Sequence, residues 1–221
     1  MNRIYYIDLN KLNKTFPYEE LYNKASSYRK EKVDSLKFYK DKCLSLSVDY
    51  IFRCALKDIG IDYNSIVIQL DKNNKPFIKN VNNLYFNLSH SNKIGLCIIS
   101  DKEVGCDVEK ISDDFLDIAK TYFNKNEINL IEQQKTYKNK QELFFRLWTL
   151  KESYTKALGI GLNLDLNKFQ ISLNNKKIKV SSDINIDTNF YFEEIDLKNT
   201  DYKCSICSKS FEKCKITEIK L

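Results

Sequence analysis

The 221-residue chain has five glycines, two prolines and one histidine, and each scarcity closes off a class of structure. So little glycine and proline leaves no Pro- or Gly-rich linker, and no low-complexity tract stands in for one. No run reaches the roughly 18 apolar residues that cross a bilayer. The opening MNRIYYIDLNKLNK has neither an apolar core nor a small-residue cleavage site, so no export signal is expected. Only Cys214 follows Cys204-x2-Cys207, and His90 lies far upstream, so a four-ligand zinc site is not expected. The segment DYKCSICSKSFE reads instead as a strand. Arginine is scarce too, 4 against 32 lysines, beside 23 Asn and 24 Ile. That bias looks compositional, so the net charge of +6 is weak support for a nucleic-acid partner and mild support for a phosphate ligand or an acidic protein. Seven cysteines, an odd number in apolar surroundings, fit buried reduced thiols and a cytoplasmic location.

What the chain does have is acid in two separated places. In EVGCDVEKI, Val104, Cys106 and Val108 alternate with Gly105, Asp107 and Glu109, the period of a half-buried strand, so Asp107 and Glu109 share a face. About forty residues on, Leu143, Leu147, Leu150, Tyr154 and Leu158 recur at helical steps before Gly159. Glu152 and Lys156 are i,i+4 neighbours off that stripe. Three carboxylates and a lysine suit a hard divalent ion and a phosphate ester. Singly, each has a plainer reading: a solvated strand face, a surface ion pair. YFNLSHS presents Ser89 and His90 at a strand end, a cradle for phosphate or simply a structural histidine. DKNNKPFI puts Lys75 and Pro76 in a turn.

A strand opens the chain, a helix is expected over 40–58, and strands near 65–70, 84–89, 94–100 and 104–109. Helices near 114–122, 126–136 and 141–158 follow, then strands at 168–173, 176–180, 189–196 and 201–208. The two clearest helices start about 100 residues apart and share a stripe. The reading is α+β, with a duplicated half: 1–102 and 103–221. A chain of this size buries about 70% of its unfolded surface, enough for a core without staples.

In that order, KPFI, FNLSHS, GCDVEKI, FNKNE and LWTLKESYTKALGIGL resemble the 4'-phosphopantetheinyl transferase superfamily, in its larger Sfp-type branch. The resemblance implies two similar α/β halves forming an intramolecular pseudo-dimer, with coenzyme A in the cleft between them. It implies transfer of 4'-phosphopantetheine to a serine of an apo acyl or peptidyl carrier protein by a cytoplasmic monomer, without nucleic acid or membrane. Mg2+ is the implied ion, replaceable by Mn2+, held by Asp107, Glu109 and Glu152. Glu152, directly or through a water, is the candidate base, with a bound hydroxide as the alternative, and Lys156 stabilises or protonates the leaving phosphate. Ser89, His90, Arg29 and Lys32 match positions for the 3'-phosphate, Lys75 and Pro76 the adenine-side turn, and Lys151 a basic residue beside the metal glutamate. Glu127 matches a recurring glutamate with a structural or functional role. The surface around Phe115, Leu116 and Tyr122 is the expected carrier dock.

The chain departs from the pattern at Leu44, where relatives usually carry arginine, at Val48, where glycine is usual, and at Asn74 in place of glycine before Lys75. Two other classes compete. A non-catalytic coenzyme A- or carrier-binding paralogue would keep the fold without turnover. A metal-dependent nuclease also needs paired acids and a lysine, but its usual acid-x-lysine strand is missing.

Overall fold

Alternating apolar residues make β1 (Asn2–Asp8), which is followed by α1 (Tyr18–Lys24), α2 (Ser27–Ser35) and the long α3 (Tyr39–Asp58). Then come β2 (Ile68–Leu70), β3 (Pro76–Ile78), β4 (Tyr85–Ser91) and β5 (Ile94–Ser100). The second half holds β6 (Val104–Lys110), α4 (Leu116–Tyr122), α5 (Lys125–Glu132) and the long α6 (Tyr137–Leu158). It continues with β7 (Phe169–Asn174), β8 (Lys177–Ser182), β9 (Tyr191–Glu194), β10 (Tyr202–Ser208) and β11 (Lys215–Glu218). The computed structural model describes every residue except Asn13, Asp114, Asn175, Lys176 and Asn199. Asp114 and Lys176, where an expected helix and an expected strand begin, thus lie outside the described residues.

The order repeats. Each half runs strand, long helix, two-stranded hairpin, strand, strand, and its sheet is antiparallel in the same order: β1-β5-β4 and β6-β10-β9. The hairpins β2-β3 and β7-β8 occupy matching places. The architecture is α+β, doubled within one chain. The last strand crosses back: β11 pairs parallel with β1, so residues from the end of the chain complete the first sheet.

The core follows from this doubling. Ile51, Phe52, Ala55 and Leu56 of α3 pack on Ile7, Phe86, Cys97 and Ile99. Leu147, Leu150, Tyr154 and Ala157 of α6 pack on Phe169, Ile171 and Cys207. Between the two sheets, Ile4, Leu96 and Ile98 meet Val104, Cys106, Val108 and Ile206. No helix among the described residues is long and apolar enough to cross a membrane.

Differences from the expected elements have local causes. Helix α6 starts four residues before 141 because the Thr136 side chain accepts the Asn139 N–H as an N-cap. The strand expected from 65 begins at Ile68, since Tyr63–Ser65 coils as a 3-10 turn with Asp62 capping Asn64. The helix expected over 126–136 stops at Glu132 and starts at Lys125, where Asn124 and Glu127 form a capping box. Helix α2 escaped notice because it buries only Arg29 and Val33 and has no apolar stripe to read.

Candidate active site

Strand β6 and helix α6 touch backbone to backbone at Gly105. A Cβ there would lie 2.1 Å from the Ser153 carbonyl oxygen and 2.4 Å from the Ala157 nitrogen. Only glycine permits that approach, and it brings Asp107, two residues along β6, against Lys156 of α6. The Lys156 ammonium donates to Asp107 Oδ1 at 2.5 Å and to Ser89 Oγ at 3.2 Å. Ser89 in turn donates to Asp107 Oδ1 at 2.9 Å. Asp107 is 2% exposed, and its second oxygen, Oδ2, is buried without a hydrogen-bond partner.

Glu109 and Glu152 flank this pair, both half-buried. Burial, then the Asp107 charge and more weakly Glu152, push Glu109 up to about 7, against the opposing Ser91 hydrogen bond and Lys156. Glu152 is raised chiefly by burial, with Lys156 opposing and Asp107 adding. The three carboxylates therefore lie within one another's fields. Among the described residues, however, no three His, Cys, Asp or Glu side chains stand close enough to form a ready metal cage. The cation that holds Asp107 here is Lys156. Burial would lower the Lys156 pKa, but Asp107 outweighs it, and the ammonium is held charged well above neutral pH.

A second cluster lies on the opposite face of β4. Ser89 and His90 are consecutive strand residues, so their side chains leave on opposite sides: Ser89 is buried toward β6, His90 is exposed toward α2. They do not form one cradle, and both sit inside the strand rather than at its exit. Desolvation, followed by the charges of Lys32, Arg29 and Lys156, lowers His90 to about 4, although the residue remains exposed to solvent. Lys32 is lowered in the same way, by desolvation and then by Arg29 and Lys156. Arg29 is 4% exposed, with NH1 donating to Ser45 Oγ at 3.1 Å and Nε 3.4 Å from Asp49 Oδ1. Lys32 and Arg29 thus put positive charge beside the neutral His90 ring, and Asp49 pairs with Arg29. Leu44 and Val48 are buried in the core.

Three expected site residues are used elsewhere. Lys151, expected in the coenzyme A site as the basic residue beside the metal glutamate, has no exposed surface: its ammonium pairs with Glu127 Oε2 at 2.9 Å and donates to the carbonyls of Leu166 at 2.8 Å and Phe169 at 2.6 Å. Glu127 accepts the Ile171 N–H at 2.9 Å, so this buried pair locks α5, α6 and β7 together and its role is structural. The Lys75 ammonium turns inward to the Ala157 carbonyl at 3.1 Å, where a cation suits the C-terminus of α6, and to that of Val104 at 3.4 Å. What the 75–76 turn offers a ligand is therefore its backbone and Pro76, which border an open pocket of about 450 Å³ with Phe77 and Tyr85. Asn74 takes φ 63°, as its place in the turn requires. Phe115, expected in a docking surface, is fully buried against Phe144 and Tyr137, whereas Leu116 and Tyr122 are exposed. Sequence reasoning also passed over Asn87, Ser91 and Asp49. The alternation of Asn87, Ser89 and Ser91 in FNLSHS was the available signal for the first two.

Residues 103–207 match the family model described as the 4'-phosphopantetheinyl transferase superfamily. Over 188 residues the chain is 32% identical to 4'-phosphopantetheinyl transferase gsp of Aneurinibacillus migulanus, covering 83% of this chain and 77% of that protein. A 4'-phosphopantetheinyl transferase of Bacillus subtilis is 28% identical over 201 residues, 89% of this chain and 87% of that one. The protein named Sfp from Bacillus subtilis (strain 168) is 30% identical over 150 residues, covering 67% of this chain and 66% of its own length. The chain belongs to the 4'-phosphopantetheinyl transferase superfamily. Within it, the chain is a transferase of the Sfp-type branch.

Proposed function

We propose that the protein moves the 4'-phosphopantetheine group of coenzyme A onto a serine hydroxyl of an apo carrier protein, with Mg2+ present, and releases adenosine 3',5'-bisphosphate. The active site lies in the cleft between the halves 1–102 and 103–221. The observation that carries this reading is the meeting of Asp107, Glu109, Glu152 and Lys156 where β6 and α6 touch at Gly105. These residues fit a hard ion: the donors are all oxygens, and Asp107 Oδ2 is a buried acceptor with nothing donating to it. Asp107, Glu109 and Glu152 would hold Mg2+, or Mn2+ in its place. When bound, the ion offsets negative charge growing on the pyrophosphate oxygens.

The chain's own residues do the rest. His90, Lys32 and Arg29 bind the 3'-phosphate, and Pro76 and the 75–76 backbone border the adenine. The carrier serine oxygen forms a bond to the β-phosphorus as the bond to the bridging oxygen breaks. Glu152, directly or through a water, takes the serine proton. Lys156, paired with Asp107, stabilises the departing phosphate or gives it a proton. Incubation with coenzyme A and apo fatty-acid, polyketide and nonribosomal-peptide carriers tests the proposal by intact carrier mass. One phosphopantetheine adduct is expected with Mg2+ and none after chelation. Absence of adduct on every carrier would refute it.

A further inference from the structure

The edge of β6 that faces β4 meets side chains where a sheet would supply backbone. Asn87 Oδ1 accepts the Cys106 N–H at 2.9 Å, Ser89 Oγ the Val108 N–H at 3.4 Å, and Ser91 Oγ the Lys110 N–H at 3.1 Å. Both strands have a side-chain period of two, so the rungs repeat at one spacing, 19 residues apart in the chain. The ladder joins the first half of the molecule to the second and satisfies N–H groups that would otherwise be orphaned at the seam.

Two rungs also hold a carboxylate. Ser89 donates to Asp107 Oδ1 at 2.9 Å and Ser91 to Glu109 Oε2 at 2.8 Å. A hydroxyl has one hydrogen and two lone pairs. Ser89 uses all three, since Lys156 takes its second lone pair. Ser91 spends its single hydrogen on Glu109, and the Lys110 N–H fixes where its oxygen sits. A carboxylate tethered to a hydroxyl that is itself tethered to the backbone keeps one orientation.

The geometry points to Ser91 as a positioning residue that sets the Glu109 carboxylate for binding a divalent ion. It acts through Glu109, and it rests on the reading that Asp107, Glu109 and Glu152 are the ion's ligands. Partners in such a position typically change metal affinity without touching the metal.

The test titrates Mn2+ into protein saturated with coenzyme A and reads free Mn2+ by electron paramagnetic resonance, for the unaltered chain, Ser91→Ala and Ser91→Thr. Coenzyme A affinity is measured separately in the presence of chelator. Ser91→Ala should weaken Mn2+ binding by about 10- to 100-fold, the usual range for such partners, and leave metal-free coenzyme A affinity unchanged. Ser91→Thr, which keeps the hydroxyl, should recover most of the Mn2+ affinity. Should Ser91→Ala fail to fold, Ser91→Cys, of similar size but a weak donor, should show the same selective loss. Unchanged Mn2+ affinity in these variants, or an equal loss of Mn2+ and coenzyme A binding, would overturn the role of Ser91. An unaltered chain that binds coenzyme A but no Mn2+ would instead overturn the functional reading beneath it, a result distinguishable from the first.

Discussion

His90 is the chain's one histidine, so its C2 proton reports a single environment in a one-dimensional proton spectrum. Desolvation and the charges of Lys32, Arg29 and Lys156 hold its pKa near 4, so the ring is neutral at pH 7. An anion bound among those cations cancels part of their field and favours the imidazolium. Adding adenosine 3',5'-bisphosphate should therefore move the His90 titration upward, toward the ordinary 6.5. A titration near 6.5 in the free protein, unmoved by the nucleotide, would remove His90 from the anion site. At this scale residue types were legible and partners were not. Lys151 and Lys156 stand five apart on one helix, yet Lys151 is sealed against Glu127 while Lys156 reaches Asp107 of β6. Which cation is buried depends on α5 and β7, elements remote in sequence, and no local pattern encodes it.

Between elements, the proposed site depends on the contact of β6 with α6. Gly105 lies in a strand interior, where glycine ordinarily weakens a strand, and its value appears only once α6 is laid on top. Gly105→Ala drives a methyl into the backbone of α6, so β6 and α6 must separate. Overpacking of this kind costs about 1–3 kcal/mol or more. A lowered melting temperature is expected together with a fall in turnover larger than the loss of folded protein explains, because Asp107 and Glu152 ride on the two displaced elements. Wild-type melting and turnover in Gly105→Ala would show that the close approach is not needed. The longer elements were readable: α3, α6, β4, β5, β6 and β10 lie close to their expected ranges because each carries an apolar stripe or an apolar run long enough to read. The short ones were not. Helix α2, β3 and β11 bury little and take their places from partners, β11 from β1 and β3 from β2.

Across the whole molecule, the halves share a strand order. In the proposed site the first half contributes the basic residues of α2 beside β4, the second the acids on β6 and α6. Several ties hold them in register. Side chains of β4 ladder onto β6, Lys75 reaches the end of α6, and Asn73 Nδ2 donates to the Gly159 carbonyl at 2.7 Å. The doubled order was foreshadowed by two helices with like stripes, but the crossing of β11 into the first sheet was not, since no local feature announces a parallel partner some 210 residues away. The most direct test measures the rate of carrier modification, by intact mass with coenzyme A and Mg2+, for Asp107→Ala and Glu152→Ala beside the unaltered chain. Each substitution should lower the rate by about 10²–10³-fold or more, as loss of a charge-stabilising group does, while melting stays cooperative. A rate near that of the unaltered chain in either variant would contradict the claim that β6 and α6 jointly build the site.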